Sequence, residues 1–444
     1  MSDADLVIRG ARVCLPGGFS EVDVAVAGGK IVALGDKLTA KVEFDASQRY
    51  LLPGAIDAHV HYNEPGRTGW EGWASGSLAS ALGGASCVFE MPLNAFPPTL
   101  DGKSFRLKQA AAEASSVVDF GLWGGLTPAN LDKLEELASC GVVGFKAFMC
   151  SSGMEEFPRA NLDTLRAGMT VAAHLGLVVA VHAEDEDETA QLAARSLAAG
   201  RRGVRDYLDS RPVSAEIKAI DQACEMAGET GCSLHVVHVS CGEGLVEIAR
   251  ARSRGVDVTA ETCPHYLLLE DGDMAKMGGR AKCAPPLRGP AIRADLLRRV
   301  LAGEVDTIGT DHSPCPPEMK EGDDFFKVWG GVSGAQQFLP SLWAAGIKVE
   351  EIVRMVSTRV AARFGLDRRK GSIALGMDAD FILVEGGIEE TFQAADLVTR
   401  HPISPYFGRA FPAAVRAIWV GGELVWSQSG GPGAARGRLV RPLH

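Results

Sequence analysis

Eight short apolar runs, each followed by a helical or loop segment, recur between Ala55 and Thr310. No other feature constrains the fold of this 444-residue chain as strongly. The runs are Ala55–His59, Ser86–Glu90, Val117–Trp123, Val142–Phe148, Val178–His182, Leu234–Val239, Val256–Ala260 and Asp306–Thr310. They are rich in β-branched residues and mostly apolar, as parallel strands buried on both faces must be. Helical patterns lie between them, over Trp70–Leu82, Ser104–Ala114, Leu162–His174, Ala215–Glu229 and Ala291–Leu301. Eight strands alternating with helices favour a closed α/β architecture, a (β/α)8 TIM barrel, over an open sheet.

The two chain ends have a different texture. Leu6–Ile8, Val22–Val26, Lys30–Ala33 and Val42–Asp45 read as strands separated by turns such as Gly28-Gly29. Phe381–Val384, Val415–Val420 and Glu423–Trp426 read the same way at the far end. A small β-sandwich built jointly from residues 1–52 and 372–444, around a barrel over 53–371, is the expected division. The Gly-rich run Ser429–Gly437 is a candidate for disorder.

The net charge of -11 argues against nucleic-acid or anionic-membrane partners, which need a basic face. No apolar stretch is long enough to span a membrane, and Met1 to Gly10 has no signal-like apolar core. Ten scattered cysteines without a C-x-x-C pair read as reduced thiols, and a cytoplasmic location is expected.

The chemistry concentrates at one end of the strands. Asp57-Ala58-His59-Val60-His61 ends the first, and alternation puts His59 and His61 on one side. Lys146 lies in the fourth, His182 ends the fifth, His238 ends the sixth, and Asp311 and Ser313 follow the eighth. Each has a structural reading by itself: a hydrogen-bonded core histidine, a capping aspartate, a lysine whose stem is buried. Together, around one barrel mouth, they point to metal chemistry. Four imidazoles and a carboxylate can hold two divalent ions, but an ammonium among them would repel the ions. A desolvated lysine has a lowered pKa, and its neutral amine can react with carbon dioxide. The resulting carbamate is an anionic ligand with two oxygens, able to bridge two metals.

These residues resemble those of the cyclic amidohydrolases, a family of dihydroorotases, hydantoinases, dihydropyrimidinases and allantoinases, over nearly the whole chain. The resemblance implies that His59, His61 and Asp311 bind the more buried metal and His182 and His238 the second, with carboxylated Lys146 between them. It implies hydrolysis of a ring amide by a metal-bridging hydroxide, with Asp311 as general base and then general acid. A homotetramer is the family's common assembly. Zinc suits this ligand set, as do iron, cobalt and manganese.

Within the family, the segment from His61 to Gly72 discriminates best. Dihydroorotases carry an arginine for the substrate carboxylate where this chain has Asn63. Hydantoinases and dihydropyrimidinases usually lack the Glu64-Pro65-Gly66-Arg67-Thr68 string, which allantoinases share. Allantoinases also match Met91 to Asn94, Cys263 to Tyr266, Lys282 to Arg288, Asp311 to Cys315 and Trp329 to Gly331. The implied substrate is allantoin and the product allantoate, a step in purine breakdown. Asn94 and Ser313 are candidate substrate contacts, with turn capping as the alternative for both. His265 could touch substrate or serve a structural turn. A hydantoinase or dihydropyrimidinase, a dihydroorotase, and a non-catalytic scaffolding homologue are the alternatives.

Overall fold

In the computed structural model, which describes residues 4–433 and 437–442, parallel strands with helices between them close into a barrel. The strands are Ala55–Val60, Ala85–Glu90, Asp119–Leu122, Gly144–Phe148, Val178–His182, Leu234–Val236, Val258–Thr262 and Thr307–Ile308. Every residue of the first, second, third and fifth is buried, which is why their sequences read as continuous apolar runs.

Two gaps in the ladder are closed by other means. Between the third and fourth strands, Gly124–Gly125 pairs with Phe145 and Lys146. Between the eighth and the first, Val60 bridges to His312, and Asp57 accepts hydrogen bonds from Thr310 N at 3.0 Å and Thr310 Oγ1 at 2.6 Å. The carboxylate beside the two histidines of the first strand therefore serves barrel closure.

The sixth and eighth strands are shorter than the sequence suggests, ending at Val236 and Ile308. Beyond those points the chain leaves the ladder to reach His238 and Asp311, both with left-handed backbone, φ 42° and 47°. Non-glycine residues there are uncommon and tend to mark sites where side-chain aim overrides backbone preference.

The helices Trp73–Leu82, Gly102–Ser115, Leu162–Leu175, Val213–Thr230 and Pro290–Leu301 occupy the expected segments. Two more, Glu186–Ala198 and Gly242–Ser253, follow the fifth and sixth barrel strands. The first is started by Asp185, whose side chain accepts from Glu188 N. Among the described residues no helix is long and apolar enough to cross a membrane. All ten cysteines are unpaired.

Both chain ends meet in one seven-stranded sheet, where Phe381–Thr391 pairs antiparallel with Tyr50–Pro53. A four-stranded sheet of Lys30–Gly35, Asp23–Ala27, Ala4–Arg9 and Ala40–Asp45 faces it. Leu6, Ile8, Val13, Val24, Leu51, Phe381, Leu383 and Trp419 fill the space between the two, making a β-sandwich.

The Gly-rich run is more structured than its composition suggests. Gly431–Pro432 pairs with Glu423–Ser427, and residues 434–436 lie outside the described residues. Beyond them the chain runs along the third barrel strand, with Val440 N donating to Phe120 O at 2.8 Å.

Lys370 joins the parts. Its buried ammonium donates to Asp119 of the third barrel strand at 2.6 Å and to Asp380, beside the sandwich strand, at 2.5 Å. Removing the cation strands two carboxylates in a low-dielectric interior. Lys370→Met is expected to destabilise the fold by about 3–5 kcal/mol, read from the shift of its urea unfolding midpoint. An unchanged midpoint would show that this cluster carries no stability.

Candidate metal centre

The C-terminal ends of the first, fifth, sixth and eighth barrel strands deliver His59, His61, His182, His238 and Asp311 to one cavity of about 410 Å³. His59 and His61 stand with ring centroids 5.5 Å apart. Asp311 Oδ1 lies 3.2 Å from His59 Nε2 and 3.4 Å from His61 Nε2. The three donor atoms thus face one point. Burial alone would raise the Asp311 pKa, but the charge of His59 and the contact with His61 outweigh it and hold the carboxyl well below its usual range.

Hydrogen bonds to the far ring nitrogens set which edge each imidazole presents. His59 Nδ1 lies 2.8 Å from Glu261 Oε1, an acceptor-only carboxylate that is kept ionised. Nδ1 therefore donates to Glu261, and Nε2 is the ring edge turned toward Asp311. His182 Nε2 lies 2.7 Å from Glu184 Oε2, which Arg211 also contacts, and this leaves Nδ1 bare. The His182 ring stacks on Phe148, centroids 4.6 Å apart. His238 stands edge-on to His182 at 4.7 Å and is 5.4 Å from His59. Its Nδ1 has no hydrogen-bond partner among the described residues.

Lys146 lies among them. It is fully buried, and its Nζ has no hydrogen-bond partner among the described residues. Burial lowers its pKa to about 7, against the opposing pull of Asp311 and Glu261. Lone pairs and a partnerless amine facing one another cost energy in a dry site unless cations lie among them. The donor set of imidazoles, one carboxylate and a reactive amine suits divalent ions.

The remaining expected residues sit around this floor. Asn94 and Ser313 line the cavity, and Asn94 Nδ2 lies 3.2 Å from His61 Nδ1. His265 is buried against Tyr266, centroids 4.2 Å apart, and does not line the cavity. Asn63 is fully buried and donates from Nδ2 to Pro314 O at 3.1 Å, so it offers no cation to a bound carboxylate. Cys150, His182 and Glu184 form a second cluster of possible donors. There, burial pushes the Cys150 thiol up to about 12, so it is not a ready thiolate.

Comparison with known proteins identifies the family. The profile of the Amidohydrolase family matches residues 50–425. An allantoinase from Rubrobacter xylanophilus is 51% identical, covering 100% of this chain and 98% of its own length. One from Deinococcus radiodurans is 46% identical, covering 99% of each chain. The chain belongs to the amidohydrolase family. Among solved structures, an L-hydantoinase (dihydropyrimidinase) from Arthrobacter aurescens superposes with a TM-score of 0.95 at 30% identity, over 99% of this chain and 100% of that one. A dihydropyrimidinase from Brevibacillus agri superposes at 0.91 with 29% identity, over 98% of each.

This amidohydrolase also holds functional groups that motif reading passed over. Glu261 orients His59 and lies 3.5 Å from His235 Nε2. Its signal was weak, because an acidic residue ending a strand has many uses. Gly309 is required beside it, since a Cβ there would stand 2.8 Å from Glu261 Oε2 and 3.0 Å from the His59 Cβ. Glu184 was within reach of sequence reasoning: it lies two residues after His182 and so on the same face. Arg288 bonds Ser240 Oγ at 2.9 Å and Glu216 Oε2 at 2.8 Å, bracing the strand end that carries His238. The segment Phe326 to Gly331 forms one cavity wall, with only its last three residues singled out by motif.

Proposed function

We propose that this amidohydrolase hydrolyses the hydantoin ring of allantoin to give open-chain allantoate. The observation that carries this reading is the convergence of His59, His61, His182, His238 and Asp311 on one cavity, with Lys146 buried close by, in a chain 51% identical from end to end to an allantoinase. His59, His61 and Asp311 would hold one divalent ion, His182 and His238 a second, and Lys146 carboxylated by carbon dioxide would lie between the two. Zinc is the first metal to try, with iron, cobalt and manganese as alternatives. When bound, such ions lower the pKa of water and polarise a carbonyl.

The chain's own groups do the rest. Asp311, held ionised, accepts the proton of the attacking water and returns it to the ring nitrogen as the carbon–nitrogen bond breaks. Glu261 and Glu184 fix the rings of His59 and His182 so that their free nitrogens face inward. Asn94 Nδ2 stands 3.2 Å from His61 Nδ1; if His61 binds through Nε2 and carries its proton on Nδ1, the Asn94 amide turns over to accept it through Oδ1. Ser313, on the cavity wall, is positioned to contact the ring.

The test is a substrate panel on protein reconstituted with zinc and bicarbonate: allantoin, hydantoin, dihydrouracil and dihydroorotate. Preferred opening of allantoin is expected, and preference for another ring would overturn the substrate. Dihydroorotate is expected to be poorest, because Asn63 supplies no charge for its carboxylate.

Reactivation should depend on pH. Only the neutral amine of Lys146 reacts with carbon dioxide, and its pKa is lowered to about 7. Metal-stripped protein supplied with zinc at one fixed concentration of dissolved carbon dioxide is therefore expected to regain activity readily above pH 7 and progressively more slowly below it. A rate flat from pH 6 to pH 8 would contradict carboxylation of this lysine.

A further inference from the structure

We propose that Lys282 and Lys320 are specificity-determining positioning residues, two buried amino groups that shape the 325–331 segment into the wall that reads the ring substituent. This rests on the ring-amide reading above and concerns how that site selects its substrate. The floor of the cavity acts on an amide that every cyclic substrate possesses, so it cannot distinguish one ring from another. Discrimination falls to the walls. Six consecutive residues, Phe326 to Gly331, contribute to them, more than any other continuous segment.

That segment has neither helix nor strand to hold its shape. Lys282 Nζ donates to Phe325 O at 2.6 Å and to Val328 O at 2.5 Å. Lys320 Nζ donates to Trp329 O at 3.1 Å and also to Gly331 O. Both lysines are buried, 4% and 9% exposed, and all four of these bonds go to main-chain carbonyls. Gly331 N donates to Lys282 O at 2.8 Å, and a Cβ on Gly331 would stand 2.3 Å from Ser313 O.

Burying an amino group is costly, and an apolar side chain could fill the same volume. What the amino group adds is direction, since its N–H donors dictate where two carbonyls must sit. Lys320 decides between shaping and contact, because it does not line the cavity and can influence substrate only through the wall.

The experiment compares Lys320→Met and Lys282→Met with the unaltered holoenzyme, after metal content and fold are shown to be equal. Both are expected to raise KM for allantoin by about tenfold or more with kcat within about threefold. Both are expected to lower the preference for allantoin over hydantoin by about tenfold, an effect that mere loss of stability would not produce. Folded Lys320→Met with the original KM and preference overturns the proposal. So does a change confined to Lys282→Met, which would make Lys282 a direct contact. Hydrogen exchange needs no lysine variant: in the Asp311→Asn holoenzyme, saturating allantoin is expected to slow exchange across 325–331, and unchanged exchange overturns the proposal. An unaltered enzyme that opens other rings but not allantoin overturns the substrate reading alone. The lysine variants and the exchange experiment would then use rings that it does open.

Discussion

Asp311→Asn is expected to lower kcat by about 10²- to 10⁴-fold while most of the metal stays bound. The amide keeps the carboxylate's shape and an oxygen donor, and His59 and His61 remain beside it at 3.2 and 3.4 Å from Oδ1. What is lost is the capacity to take and return a proton. Because Asp311 is held well below the usual carboxylate range, it is ionised at neutral pH and able to accept a proton. Its protonated form arises only transiently, between water attack and departure of the ring nitrogen. Steady-state kinetics together with metal analysis reads both halves of the expectation. Near-normal kcat would remove Asp311 from proton transfer, and complete loss of metal would make ligation its main role.

Lys146→Ala is expected to empty the site of metal and abolish turnover. Four imidazoles and one carboxylate carry a single negative charge toward two divalent ions. Without a further anionic ligand, the mutual repulsion of two divalent ions held in this buried site would be poorly compensated. Lys146→Met serves as the volume-matched control, since it refills the space among apolar neighbours without a reactive amine. Both variants should fold, because the removed Nζ makes no hydrogen bond among the described residues. Elemental analysis of the purified variants is the measurement. Retention of two ions with full activity in either would refute the carbamate bridge.

The two variants separate roles that the sequence places side by side. His59, His61, Lys146, His182, His238 and Asp311 were legible because parallel strands announce themselves as apolar runs, and a polar residue at the end of such a run is conspicuous. Their convergence followed from barrel topology, in which all strand C-termini open on one face. The partners that orient the rings were less legible. Glu261 reaches His59 from a strand 202 residues away in sequence, and no local pattern encodes that contact.

Asp57 shows the converse error that local reading invites. It stands in the same motif as His59 and His61, yet its side chain points to Thr310 and closes the barrel. The strand lengths show it too: apolar periodicity continues past Val236, while the chain turns aside there to aim His238 inward. Periodicity reports which residues are buried, not which of them stay in the ladder.

The sequence by itself therefore determined the strand and helix alternation, the split of β structure between the chain ends, and the residue types of the candidate metal centre. These follow from burial patterns and from which side chains can ligate a cation, both of which are local properties. Tertiary structure alone decided which nitrogen of His59 and of His182 is tied to a carboxylate, that the Lys146 Nζ has no hydrogen-bond partner among the described residues, and that Lys282 and Lys320 grip the 325–331 wall. Those outcomes depend on distances between segments far apart along the chain, and burial sets their energetics only once the barrel has closed.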